Sequence, residues 1–126
     1  MTFLKPWEGT IYGVMRILVG LLFLQHGLQK VFGFFGGIPE EAPAYVRWIA
    51  GLIELVGGAM VAAGFQTRIA AFLCSGLMAA AYFMAHAPKG FIPAENGGEI
   101  TILYCWIFLF IAAYGGGKLS VDGERA

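Results

Sequence analysis

Charged side chains are scarce in this sequence. Only 13% of its 126 residues are Asp, Glu, Lys or Arg, whereas about a quarter is usual in a soluble domain. Eight acidic and eight basic side chains cannot cover the surface of a soluble domain in which 59% of the residues are hydrophobic. Lys and Arg form no cluster, so nucleic acid is not an expected partner. The composition predicts a single membrane domain over residues 1–126, in contact with the lipid bilayer.

Cysteine is also scarce. Cys74 and Cys105 stand in apolar runs without a CxxC spacing, so neither a disulfide framework nor a zinc motif is indicated. We expect two buried, inert thiols. The N-terminal stretch lacks the small-residue cleavage pattern of a signal peptide, and the first apolar segment is therefore expected to remain in the mature chain.

Four apolar segments predict membrane-spanning helices, since a span takes roughly 20 residues. They cover about residues 11–34, 48–65, 69–87 and 100–114, and the fourth must begin near residues 96–98 to cross the bilayer. A short polar turn and two loops that contain proline separate them. The predicted fold is all-α: a polytopic, antiparallel bundle of four transmembrane helices.

The basic residues suggest an orientation. Four spans put both termini on one side, which would carry two more Lys and Arg side chains than the other side. The positive-inside rule then places both termini in the cytoplasm. The residues on the terminal side are Lys5, Arg68, Lys118 and Arg125, and those on the loop side are Arg47 and Lys89.

Arg16 and Glu54 lie within predicted spans, where a charge costs about 2.5 to 3.5 kcal/mol even on the lenient insertion scale. Helical periodicity places Arg16 and Lys30 on a glycine-rich face of the first helix, and Glu54 between Gly51 and Gly58 on the second. We expect these faces to pack with the acid between them. Glu54 then has two possible cationic partners: Arg16, with which it would form an intramembrane charge pair or relay, and Lys30, which needs less stretch and would leave Arg16 to another acceptor such as a backbone carbonyl or a water. A purely structural ion pair is the alternative.

Polar side chains from three predicted helices also meet at the loop side. They suggest a pocket that exchanges protons or binds an amphipathic ligand. Snorkelling and helix capping are the alternative. Two histidines and a glutamate would suit zinc or iron, but no fixed ligand spacing is present, so we predict no metal site. The candidate pocket residues are His26, Lys30, His86, Asn96 and Glu99.

Three stretches resemble the DoxX family of small bacterial membrane proteins: RILVGLLFLQHGLQKVFG (16–33), GLIELVGGAMVAAGFQTRIAA (51–71) and NGGEITILYCWIFLFIAAYGGGKLSVD (96–122). The resemblance implies a four-helix protein of the bacterial inner membrane. It also implies an association with redox systems, since relatives include the quinone-reducing thiosulfate dehydrogenase small subunit and membrane partners of thiol-oxidising systems. The family's usual ending is GPG followed by a Trp-Ser-hydrophobic-Asp run, whereas residues 115–122 of this chain contain no Trp.

The leading functional hypothesis is a subunit of a membrane redox assembly that holds a quinone-like molecule, with a quinone as the candidate cofactor. His26, Lys30, His86 and Glu99 would bind the polar head, and Glu54 with Arg16 would set the local charge. The first alternative is a transporter or exporter component that acts as a homo-oligomer and uses the buried charges as a relay. The second is a scaffold that anchors a soluble enzyme through the loops 35–46 and 88–98. No self-sufficient catalytic constellation is visible.

Overall fold

The computed structural model describes residues 2–124, which are mostly helical and include no β-strand. Three long apolar helices have the length and composition to cross a membrane, and a shorter apolar helix follows them. A 3-10 turn, Thr2–Trp7, leads directly into the first helix. We number the helices α1 (Glu8–Phe32), α2 (Val46–Ala63), α3 (Thr67–Lys89), α4 (Pro93–Asn96) and α5 (Glu99–Tyr114).

The start of α5 differs from the prediction. The helix begins at Glu99 instead of residues 96–98, because Gly97 has a left-handed backbone (φ 75°) that ends α4. The side-chain oxygen of Asn96 then accepts a hydrogen bond of 2.8 Å from the Gly98 N–H. The 16 residues of α5 rise only about 24 Å. Local capping, which the apolar pattern does not reveal, therefore sets this boundary.

Helices α1 and α2 pack backbone to backbone through glycines. A Cβ atom added at Gly20 would lie 2.4 Å from the Ala62 nitrogen, and one added at Gly27 would lie 2.4 Å from the Leu55 nitrogen. Real Cβ atoms do not approach a backbone this closely, so only glycine fits these positions. The predicted packing of the two glycine faces is confirmed.

Helix α5 closes the structure by contacting both α3 and α1. It runs along α3, where the Ser75 hydroxyl donates to the Cys105 carbonyl at 2.7 Å. It meets α1 through aromatic rings, with Phe23 packed 4.7 Å from Phe108, centroid to centroid. Cys74 is fully buried, Cys105 is half-buried, and both thiols are free. The core of the protein therefore lies between α1, α2, α3 and α5.

Three stretches of π-helix interrupt α2 and α3: Val46–Ala50, Ile53–Gly57 and Tyr82–His86. The first and third face the loop side, where α2 packs on α1 and a cavity separates α2 from α3. π-Helical turns often mark functional sites, because the wider turn redirects side chains. The loop-side end of α2 and α3 is therefore a candidate for a functional site.

A candidate ligand site between α2 and α3

An ion pair joins the last turn of α1 to the middle of α2. The Lys30 Nζ lies 2.6 Å from the Glu54 Oε1, and only 3% of the Glu54 side chain and 19% of the Lys30 side chain are exposed. Gly51 makes the approach possible, because a Cβ atom there would lie 2.9 Å from the Lys30 Cβ. The pair therefore follows from a glycine on α2 facing a lysine on α1.

Arg16 does not pair with Glu54, contrary to the predicted charge pair. Its guanidinium is fully buried at the opposite end of the helices, near the last turn of α2. All five of its N–H groups donate to backbone carbonyls, at 2.7 to 3.1 Å. The accepting carbonyls belong to Val61, Ala62, Gly116, Lys118 and Leu119.

The C-terminal tail is docked although it lacks the Trp of the usual family ending. Asp122 caps the start of α3: its carboxylate accepts the N–H groups of Gln66 (2.9 Å) and Thr67 (2.8 Å) and the Thr67 hydroxyl (2.6 Å). Partial desolvation raises the pKa of this carboxyl, but these hydrogen bonds and the nearby Arg16 charge outweigh it, and the pKa is lowered overall. These hydrogen bonds attach the tail to the start of α3.

Two of the predicted pocket residues hold the turn between α3 and α5. The Asn96 side-chain amide is buried and donates to the Tyr82 hydroxyl and the Gly90 carbonyl, both at 3.0 Å. The Asn96 carbonyl lies 3.1 Å from the His86 Nδ1. With these partners, His86 and Asn96 stabilise a loop. Glu99 lies apart from them on the exposed surface.

The remaining predicted residues, His26 and Lys30, do gather around Glu54. The His26 ring packs edge-on against Tyr104, with centroids 6.4 Å apart. It also lies close enough to Glu54 for their charges to interact. Among residues 2–124, no group of three or more His, Cys, Asp and Glu side chains is placed to hold a metal ion.

A cavity of about 390 Å³ opens beside the Lys30 and Glu54 pair, between the loop-side halves of α2 and α3. Of the predicted pocket residues it includes Lys30 alone; its walls are mostly apolar. Ile49 and Met84, which line it, are 61% and 62% exposed, so the cavity opens at the surface of the protein. The lining residues are Lys30, Tyr45, Val46, Ile49, Ala50, Glu54, Leu77, Met78, Ala80, Ala81, Met84 and Ala85.

One carboxylate oxygen of Glu54, a residue that lines this cavity, has no hydrogen-bond partner in the described range. Oε1 is bound by Lys30, while Oε2 makes no hydrogen bond with any residue in the described range. No fully buried side-chain oxygen or nitrogen in that range lacks a partner. Oε2 must therefore border open space, and Glu54 lines the cavity. The site offers one free acceptor and a lysine at the base of an apolar chamber.

Long apolar helices with charges held inside them define an integral membrane protein. The sequence matches the DoxX family over residues 12–87, and the chain belongs to that family.

Three relatives from bacteria are similar to this chain in sequence. An uncharacterized protein of Haemophilus influenzae is 36% identical over 98% of this chain and 97% of its own length. The uncharacterized membrane protein Rv3486 of Mycobacterium tuberculosis is 30% identical over 86% of this chain and 77% of its own length. A Bacillus subtilis protein named "Putative oxidoreductase CatD" is 37% identical over 55% of this chain and 54% of its own length. No solved structure matches the chain significantly.

Proposed function

We propose that the protein is a ligand-binding subunit of a membrane redox system, linked to quinones or thiols, in the bacterial inner membrane. The observation that carries this proposal is the cavity with apolar walls and the Lys30 and Glu54 pair at its base. Such a chamber suits a molecule with an apolar body and a polar head. The oxidoreductase name of the Bacillus subtilis relative supports the redox setting.

The proposal includes an architecture. The four apolar segments cross the membrane as one antiparallel bundle, which forms a single domain over residues 1–126. Support comes from the tight turn between α2 and α3, which leaves residues 64–66 between two helices that contact each other. The excess of basic residues on the terminal side puts both termini in the cytoplasm. The cavity then lies in the outer half of the membrane.

A quinone fits the cavity in size and chemistry. The Lys30 ammonium has three N–H groups, of which one binds Glu54, so two remain to donate to a carbonyl oxygen. The volume of about 390 Å³ falls in the range of small-molecule sites and accommodates a ring with the start of a tail. A bound quinone would supply the capacity to accept electrons and protons. The chain itself would bind the head, orient the ring and keep the ion pair out of lipid.

Ligand titration of the protein in nanodiscs tests this proposal. Ubiquinone-1 and menadione should quench the tryptophan fluorescence saturably, in excess of quenching by empty-disc partitioning. Ala81→Phe fills the cavity from its wall and should weaken binding at least about tenfold, which corresponds to about 1.4 kcal/mol. Gly76→Phe is the matched control, because a Cβ atom at Gly76 meets nothing within 4 Å. No saturable binding, or equal effects of the two variants, would refute the pocket.

A second candidate is a transporter or exporter component that acts as a homo-oligomer. The observation that favours it is the closeness of His26, Lys30 and Tyr104 to Glu54, which groups four polar side chains within the helices. Such groups can pass protons or ions. Proton-coupled uptake in proteoliposomes that Glu54→Gln abolishes would support this role, and unchanged uptake would exclude it.

A further inference from the structure

The unpartnered oxygen of Glu54 restricts the chemistry of the ligand. Glu54 lines the cavity, and its Oε2 is not fully buried and accepts no hydrogen bond from residues 2–124. A carboxylate oxygen without a donor is costly in a medium of low dielectric constant. A ligand that brings an O–H group to Oε2 removes this cost, whereas a ligand with only ether or carbonyl oxygens does not.

Lys30 also favours a ligand with a hydroxyl group. Two Lys30 N–H groups remain after the bond to Glu54, and they can donate to the oxygen of that same hydroxyl or to a neighbouring one. A hydroxyl both donates and accepts, so it can bind Glu54 and Lys30 together. The two side chains thus form a donor and acceptor couple that matches an alcohol, a phenol or a quinol.

Charge balance excludes an acidic head. Lys30 and Glu54 are the charged side chains in the described lining, and together they are neutral. Arg47 lies near this end, but it donates to the Lys30 carbonyl at 3.5 Å and does not line the cavity. A carboxylate ligand would face Glu54 with like charge and would leave one negative charge unbalanced in the membrane.

We infer that the ligand's head is a neutral hydroxyl on an apolar ring, so that the site prefers a phenol or quinol to the corresponding ether, quinone or acid. This inference rests on the proposed function, because it specifies the ligand class of the same cavity. The ring packs between the walls from α2 and α3, and the hydroxyl donates to the Glu54 Oε2 and accepts from the Lys30 Nζ. Any tail leaves between Ile49 and Met84 towards the lipid.

Three probes with the same tail test the inference: 4-heptylphenol, 4-heptylanisole and 4-heptylbenzoate. Their binding to the protein in nanodiscs is measured by equilibrium dialysis, with partitioning into empty nanodiscs subtracted. The phenol should bind about tenfold tighter than the methyl ether, as expected for one hydrogen bond to a charged group, and tighter than the benzoate. Ala81→Phe should weaken all three, which places them in the cavity.

The role of Glu54 is read from its variants. In Glu54→Gln, the amide presents a donor towards the cavity. The phenol should then bind about as tightly as the ether, or less tightly. Glu54→Asp retains the carboxylate and should retain part of the preference. A tenfold preference that persists in Glu54→Gln overturns the inference.

The probes also separate the two proposals. Equal binding of phenol and ether to the wild type, lost in Ala81→Phe, refutes the hydroxyl preference and leaves the ligand pocket intact. If neither the three probes nor the quinones bind saturably, both proposals fail. Because the wild-type comparison of phenol and ether decides the matter by itself, the inference does not depend on any variant that fails to fold.

Discussion

The two ends of the helices handle buried charge in opposite ways. At the terminal end, the Arg16 guanidinium is fully buried and each of its N–H groups has a carbonyl partner. At the loop end, Glu54 lines a cavity and only one of its carboxylate oxygens has a partner among the described residues. A charge with complete partners stabilises one conformation and has nothing left to offer a ligand. A charge with incomplete partners still has binding capacity.

This contrast distinguishes a structural role from a ligand-binding role among charged residues buried within the helices. The cost of inserting a charge into a membrane makes every such residue a candidate functional group. Arg16 meets the cost by capping the end of α2 and binding the tail, so its role is to hold three segments together. Lys30 and Glu54 meet it only in part. We therefore assign the structural role to the terminal end and the ligand-binding role to the loop end.

The largest effect is expected at the closed end. Arg16→Met removes all five donors from the carbonyls that they bind, so the free energy of unfolding should fall by at least about 3 kcal/mol. Thermal unfolding followed by tryptophan fluorescence in detergent measures this loss. Arg16→Lys keeps a charge but lacks the planar fork of donors, and it should recover only part of the stability. Wild-type stability of Arg16→Met would contradict the structural assignment.

A smaller loss is expected at the open end. Lys30→Met leaves the Glu54 carboxylate unpaired, which should cost about 2 to 4 kcal/mol of unfolding free energy. Adding Glu54→Gln to this variant removes the unpaired charge and should recover at least half of that loss. The comparison is a double-mutant cycle, which isolates the coupling between the two side chains. An additive cycle would show that the pair contributes nothing to stability.

The glycine packing that supports the open end can be tested separately. Gly27→Ala places a methyl group against the backbone of Leu55 and forces α1 and α2 apart, with an expected cost of about 1 to 3 kcal/mol. Gly76→Ala is the matched control on α3, where a Cβ atom meets open space; it should be neutral or stabilising by up to about 1 kcal/mol. Equal effects on thermal unfolding would show that the close approach does not matter.

The sequence predicted the apolar helices and the glycine faces well, because both follow from periodicity along a single helix. It placed Lys30 and Glu54 on facing stripes, and depth alone favoured Lys30 over Arg16 as the partner. It could not place the cavity, since the apolar wall residues on α2 and α3 carry no signal that distinguishes them from lipid-facing ones. The π-helical turns and the divergence of α2 from α3 depend on tertiary packing.

The capping interactions were harder to predict for the same reason. The predicted spans place His86, Asn96 and Glu99 at a similar depth in the membrane, which predicts one pocket. The Asn96 amide instead donates to the Tyr82 hydroxyl and the Gly90 carbonyl in a local turn. Polar residues near Gly and Pro often form such local hydrogen bonds. The N–H groups of Arg16 donate to backbone carbonyls at the end of α2 and in the C-terminal tail. Every residue has a backbone carbonyl, so the sequence pattern does not reveal which ones Arg16 binds.

The smallest effect, a dependence of stability on pH, should also belong to the closed end. The lowered pKa of Asp122 means that folding favours its charged form, so the stabilisation is complete above the ordinary value of 3.8 and is lost as pH falls through the lowered pKa. Thermal unfolding between about pH 5 and pH 2 should show a decline in the wild type. Asp122→Asn keeps a hydrogen-bond acceptor at Thr67 but cannot titrate, so it should flatten that part of the decline. If the wild type and Asp122→Asn have the same profile, the docking of the tail does not depend on this charge.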